Sequence, residues 1–130
     1  MKALLPPGWP RPKGYSNGIS ARGRMIFTAG VVGWDEREQF VASHLPGQLA
    51  QVLRNTLAIL AEDGAGPEHI VRMTWYVTSR DSYIAHIAEI GAVYREIVGK
   101  HFPAMAVVEV SAHIEPSALI EIETTAMVSE

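Results

Sequence analysis

The chain has 130 residues, 48% of them hydrophobic, a net charge of -3 and no cysteine. That length suits one globular domain over residues 1–130, and the charge balance offers no broad attraction for nucleic acid. The missing cysteines exclude disulfides and thiolate chemistry, and no apolar run approaches the roughly 20 residues that a membrane helix needs.

Residues 1–14 are rich in proline and glycine and predict an extended arm, with Trp9 as its anchor. The apolar run in "MKALLPPGWP" is too short for a signal-peptide core, which leaves a cytoplasmic setting as the expectation. A short strand is expected near 18–21, a turn at Arg22-Gly23 and a strand over 24–32. The loop 33–43 carries Trp34 and Phe40 as packing plugs. A helix is expected over 45–62, because Leu45, Leu49, Val52, Leu53, Thr56 and Leu60 recur at helical spacing, and Gly64 and Gly66 end it.

"HIVRMTWYVTS" predicts a strand with Val71, Met73, Trp75 and Val77 on one face and Arg72, Thr74 and Tyr76 on the other. "SYIAHIAEIGAVYREIVG" predicts a second helix, capped by Asp81 or Ser82, with Ile84, Ile87, Ile90, Gly91, Tyr94 and Ile97 on one side. Strands over 104–111 and 118–128 follow, joined by a turn holding Pro116. The order is ββαβαββ, an α+β chain whose two helices cover one face of a sheet. The other face is expected to mix Arg72, Tyr76, Glu121 and Glu123 with Met105, Val107 and Met127. It is too apolar for plain solvent surface and points to association through it.

Few residues carry chemistry. Glu121 and Glu123 sit two apart and share a sheet face. They are read either as a solvated or salt-bridged pair, with Arg72 as partner, or as a carboxylate that positions water or takes a proton. Of the five histidines, His44 and His69 precede elements as caps or surface groups, and His101 approaches the strand starting at Ala104. None shows a metal-ligand spacing, so no metal is assigned. There is no GxSxG, no GxGxxG and no phosphate-binding loop. Gly30 and Gly33 flank "VVG" as loop glycines or as backbone open to a ligand. Tyr15 is a packed aromatic or one wall of a pocket.

The stretches "GYSNGI", "MIFTAGVVG", "QLAQVLRNTLAILAEDGAGPEHIVRMTWYVTS", "YREIVGKHFPAMAVVEV" and "ALIEIETTA" together resemble the Rid/YjgF family of enamine/imine deaminases, also described as endoribonucleases or translation inhibitors. The resemblance runs from about 14 to 128 and includes the helix pattern Gln48, Gln51, Asn55. It implies a chorismate-mutase-like fold, a homotrimer with small-molecule clefts between subunits, and hydrolysis of 2-imino or 2-amino-enoic acids without a cofactor. Carried over, Glu121 corresponds to the glutamate that holds the attacking water, and Tyr15 to a cleft tyrosine. The "SGQ"-like triplet becomes Ala29-Gly30-Val31, the asparagine of the second helix falls at Gly91, and Ala106 follows the arginine position.

That position, which binds the substrate carboxylate in deaminating members, falls at Met105. A guanidinium grips a carboxylate with two charge-assisted hydrogen bonds, and a thioether offers none. The expectation is therefore an apolar pocket around Met105, Val31, Val107 and Trp34, in a member of the arginine-lacking kind. Two functions follow: hydrolysis of an imine, enamine or related molecule that lacks an α-carboxylate or presents it differently, or non-catalytic binding of a small metabolite. If a carboxylate is held after all, Arg24 and Arg95 are the cations to examine. The acidic balance and the missing metal motif weigh against nucleic-acid cleavage.

Overall fold

The computed structural model describes residues 1–130. The arm does not stay irregular. Lys2–Ala3 (β1) pairs antiparallel with Ile19–Ser20 (β2), and the Leu4 amide donates to the Gly18 carbonyl at 2.9 Å. Leu4 lies against Gly18, whereas Trp9, the expected anchor, is 60% exposed.

The expected strand over 24–32 is two strands, Arg24–Phe27 (β3) and Val31–Val32 (β4). Both pair with the last strand, Ile120–Val128 (β7), at Phe27 opposite Thr125 and Val31 opposite Ile122. The intervening chain has one residue more than its partner, so it bulges at 28–30. Thr28 holds the bulge: its amide donates to the Thr124 carbonyl, and its Oγ1 accepts from the Thr124 amide at 3.1 Å.

Leu45–Ala61 (α1) begins at His44, whose Nδ1 accepts from the Gly47 amide at 3.2 Å, and has Pro46 in its first turn. It buries the expected stripe from Leu45 to Leu60. Its end turns at Gly64, φ +74°, where the Ala65 amide returns to the Leu60 carbonyl. Two of its polar residues act as staples. Gln48, 1% exposed, donates to the Ala42 and Ser117 carbonyls and accepts from the Leu119 amide. Asn55 donates to the carbonyls of Val32 and Trp34 and accepts from Gln51.

A short 3-10 turn over Pro67–His69 leads into Ile70–Val77 (β5). A register shift between Ile70 and Arg72 drops Val71 out of the alternation, so Ile70 is buried in its place while Met73, Trp75 and Val77 keep theirs. The second helix is bent into Arg80–Ala85 (α2) and Ile87–Ile97 (α3) at His86, whose Nδ1 lies 2.8 Å from the Ser82 carbonyl. Its cap is Ser79, two or three residues earlier than the expected Asp81 or Ser82, and it accepts from the Ser82 amide. Ile90 and Tyr94 are buried; Ile84 and Ile87 are not.

Ala104–Glu109 (β6) completes the main sheet, ordered β3-β7-β5-β6 with β4 also on β7. Only β5 and β6 run parallel. The core lies between this sheet and the helices, with Leu49, Leu53, Trp75 and Ile122 at its centre.

The register corrects one expectation. Met105 pairs with Met73 and Val107 with Trp75, so both share the helix-covered face with those core residues. The open face instead carries Arg72, Thr74 and Tyr76 of β5, Ala104, Ala106 and Val108 of β6, and Glu121, Glu123, Thr125 and Met127 of β7.

Candidate functional site

A cleft of about 460 Å³ opens on the helix-covered side, between α3 and the start of β6. Its floor is Trp75, Met105 and Val107. One wall is the helical face of Tyr83, Ile87, Ile90, Gly91, Tyr94 and Arg95. Phe102 and the segment Lys13-Gly14-Tyr15 close the other side.

Local bonding explains how Tyr15, remote in sequence, arrives there. The Ser16 amide donates to the Pro103 carbonyl at 2.9 Å, and its hydroxyl donates to the Phe102 carbonyl. Ser16 thereby bridges to Ala104 in parallel fashion and lays Tyr15 beside Met105. Across the cleft, the Tyr94 hydroxyl donates to the His101 carbonyl, and its ring stacks on Phe102 at 6.1 Å and 20°. Burial pushes the phenols of Tyr94 and Tyr83 above the ordinary tyrosine value, Tyr94 the further of the two, so both are neutral at physiological pH. Trp75 is 1% exposed, and its indole N–H has no acceptor within the chain, a deficit of about 1–3 kcal/mol for a buried donor.

Tyr15, Gly91, Met105 and Val107 thus meet in one cavity. The other four candidates lie elsewhere. Glu121 is on the open face, and Gly30 packs against it: a Cβ added to Gly30 would stand 2.7 Å from Glu121 Cδ and 2.8 Å from Oε2. Only a glycine fits there without moving the carboxylate or the bulge. Ala29 is exposed beside Gly30, its carbonyl accepting from Thr28 Oγ1 at 2.8 Å. Val31 is 8% exposed and belongs to the core, not to either surface. Trp34 packs on Phe40 at 5.9 Å, away from the cleft.

The open-face carboxylates sit in a second, shallower depression with Tyr76, His113 and Ile114. Glu123 pairs with Tyr76, not with Arg72. The phenol donates to its carboxylate at 2.5 Å, and that bond chiefly raises the Tyr76 pKa. His113 Nε2 lies 3.1 Å from the Tyr76 carbonyl. No group of three His, Asp or Glu side chains is placed to hold a metal ion.

The cleft also contains residues that sequence alone did not single out, namely Lys13, Tyr83 and Phe102. Of the two cations named from sequence, Arg24 is engaged with Asp63 and Glu130, while Arg95 lines the cleft. Its spacing of four residues from Gly91 was the available signal, since such pairs share one helix face.

A mixed sheet covered on one face by helices, with an apolar cleft at its parallel edge and carboxylates on the bare face, defines a small α+β scaffold. The sequence profile of the family described as endoribonuclease L-PSP matches residues 10–128, and the chain belongs to that family, the Rid/YjgF proteins. A RutC family protein of Pyrococcus abyssi is 35% identical over 119 residues, 90% of this chain and 89% of the relative. A RutC family protein of Synechocystis is 32% identical over 130 residues, covering 98% and 96%. Among solved structures, the Rid family protein YyfB of Yersinia pestis superposes with a TM-score of 0.84 at 31% identity, covering 98% of each chain.

Proposed function

We propose that this chain assembles as a homotrimer with small-molecule clefts between subunits, and that it hydrolyses an imine-, enamine- or related reactive metabolite other than a standard 2-imino acid. The observation that carries this reading is the placement of Met105 and Glu121 on opposite faces of one sheet. A cleft holding Tyr15, Gly91, Met105 and Val107 meets a carboxylate held by Gly30 only if a second copy presents its open face to the first. The mixed apolar and charged character of that face, with Phe27 66% and Met25 51% exposed, supports such an association.

In the reaction, the water oxygen adds to the imine carbon as Glu121 accepts its proton. Glu121 returns that proton to the nitrogen, which gives a carbinolamine; the hydroxyl proton then passes to the nitrogen as the C–N bond breaks, and ammonia leaves with a carbonyl product. Met105 contributes shape without charge, which is why a standard α-imino carboxylate is not the expected substrate. Cleavage of RNA fits poorly. The chain carries a net charge of -3, and the open face displays Glu121 and Glu123 toward any phosphate backbone.

The test releases a neutral imine from an arylalkylamine with an amine oxidase and 2-iminopropanoate with an amino-acid oxidase, and follows each decay with and without the protein. Acceleration of the neutral imine, lost in Glu121→Gln, is expected, together with little acceleration of 2-iminopropanoate. Binding of an aromatic probe without acceleration of any imine would reassign the cleft to a non-catalytic metabolite-binding trimer, the reading favoured if Glu121 does not reach the cleft.

A further inference from the structure

We propose that Arg95 is the anion anchor of the cleft, and that the ligand favoured over a neutral one is a monocarboxylate whose carboxylate is held at the helix, away from the reacting carbon, on an apolar body about the size of a phenyl ring. The inference rests on taking the cavity between Tyr15 and Met105 as the ligand site, and it names the chemical class that site accepts.

Gly91 and Arg95 lie one turn apart on α3 and both line the cavity. A Cβ at Gly91 would stand 3.1 Å from Arg95 Nη1 and 3.9 Å from Cζ. The guanidinium is therefore folded back along the helix into the volume that a side chain at 91 would claim. The absence of a side chain at Gly91 is what gives the guanidinium this position.

This arginine is unspent. Arg95 is exposed and, like Arg54 and Arg72, makes no hydrogen bond or ion pair within the chain, but it is the one arginine that lines the cavity. Lys13, the other cation of the cavity, is equally free, and no aspartate or glutamate lines the site. Against the single carboxylate that Glu121 of a second copy would bring, two cations leave one positive charge over for an anion, and a planar guanidinium fork matches a two-oxygen carboxylate.

Helix polarity limits the charge. Arg95 stands in the last turn of α3, whose terminus carries the negative end of the helix dipole. A single negative charge is balanced there, while a dianionic phosphate gains no helix N-terminus and no backbone nest. The body follows from the walls. Tyr83, Ile87, Ile90, Phe102 and Val107 offer apolar faces, and the stacked Tyr94–Phe102 pair makes one of them flat. The carboxylate is thus bound from the helix, not from strand position 105.

Calorimetric titration of the full chain with 3-phenylpropanoate, 3-phenylpropanamide, propanoate and phenyl phosphate tests the assignment. The acid is expected to bind about tenfold more tightly than its amide, the scale of one charge-assisted contact, and more tightly than either propanoate or phenyl phosphate. Arg95→Ala should erase the preference for acid over amide, and Arg95→Lys should keep part of it. Gly91→Asn, which displaces the guanidinium without removing it, should weaken the preference. Arg54→Ala, an exposed α1 cation outside the cavity, should leave it intact. Equal affinity for acid and amide, a preference that survives Arg95→Ala, or tighter binding of phenyl phosphate overturns the assignment alone. Failure of every probe to bind overturns both it and the cleft.

Discussion

Met105 offers a ligand no polar hydrogen, so whatever specificity the cleft floor has comes from shape. Met105→Arg is the direct probe of that statement. The new guanidinium would enter a half-buried floor that already has Arg95 and Lys13 at its rim and no carboxylate of its own chain to meet it. An uncompensated cation in such a place costs about 1–3 kcal/mol. We expect a lowered thermal midpoint and at best partial gain of 2-iminopropanoate hydrolysis, measured by melting and by imine decay on the same preparation. A rate comparable to that of an arginine-bearing relative at unchanged stability would show that the apolar floor is not what excludes that substrate. Gly30 is a second single-residue control point. Gly30→Ala places a methyl 2.7 Å from Glu121 Cδ, so the carboxylate must swing away. Any Glu121-dependent rate should fall at least about tenfold while ligand affinity is kept, the pattern of a group that acts on the reacting atoms. Tyr94 gives a pH signature. Its folded-state pKa lies above the unfolded value near 10.0, so its contribution to stability is complete below pH 10 and declines as pH rises from there toward the folded value. Melting temperature should be insensitive to Tyr94 ionisation near neutrality and drop in alkali, with a shallower drop in Tyr94→Phe.

Elements were legible where period alone decides them. The α1 stripe and the buried alternation of β7 follow directly from residue spacing. Features that depend on a partner strand were not legible: the bulge at 28–30 exists because β3 and β4 meet one continuous β7, and the displaced Val71 reflects the same strand's register. Alternation told that Met105 and Val107 share a face, but not which face. Parallel pairing with β5 decided that and separated them from Glu121. The helix bend falls at His86, whose backbone leaves helical values and whose ring meets the Ser82 carbonyl, and no periodicity reveals it. Likewise Gln48, Gln51 and Asn55 read as a helix pattern in sequence, and Gln48 and Asn55, the latter braced by Gln51, prove to be staples that pin the flanking loops to α1. Gln48→Ala would leave the Leu119 amide and two carbonyls without partners in a site that is 1% exposed. A loss of about 2–4 kcal/mol is expected, read from the denaturant midpoint at unchanged slope. A loss below about 0.5 kcal/mol would mean that water takes over those bonds.

For the whole molecule, no helix is long and apolar enough to cross a membrane. The bare sheet face carries exposed Met25, Phe27 and Val108 among its charges, a surface that an isolated monomer in water would not favour. Sedimentation equilibrium is expected to return roughly three times the 14.2 kDa chain mass. A stable monomer at micromolar concentration would remove both the trimer and the shared cleft.

The two-sided placement of Met105 and Glu121 has a genetic counterpart. If each site draws its floor from one chain and its carboxylate from the next, two inactive alleles can complement each other. Chains carrying Glu121→Gln and chains with a blocked cleft, such as Val107→Trp, would each be dead alone. Unfolded, mixed in equal amounts and reassembled, they should regenerate about a quarter of the intact sites, the share in which both halves happen to be sound. Coexpression in one cell should rescue in the same proportion, and a strict lack of rescue in reassembled heterotrimers would place both halves within a single chain.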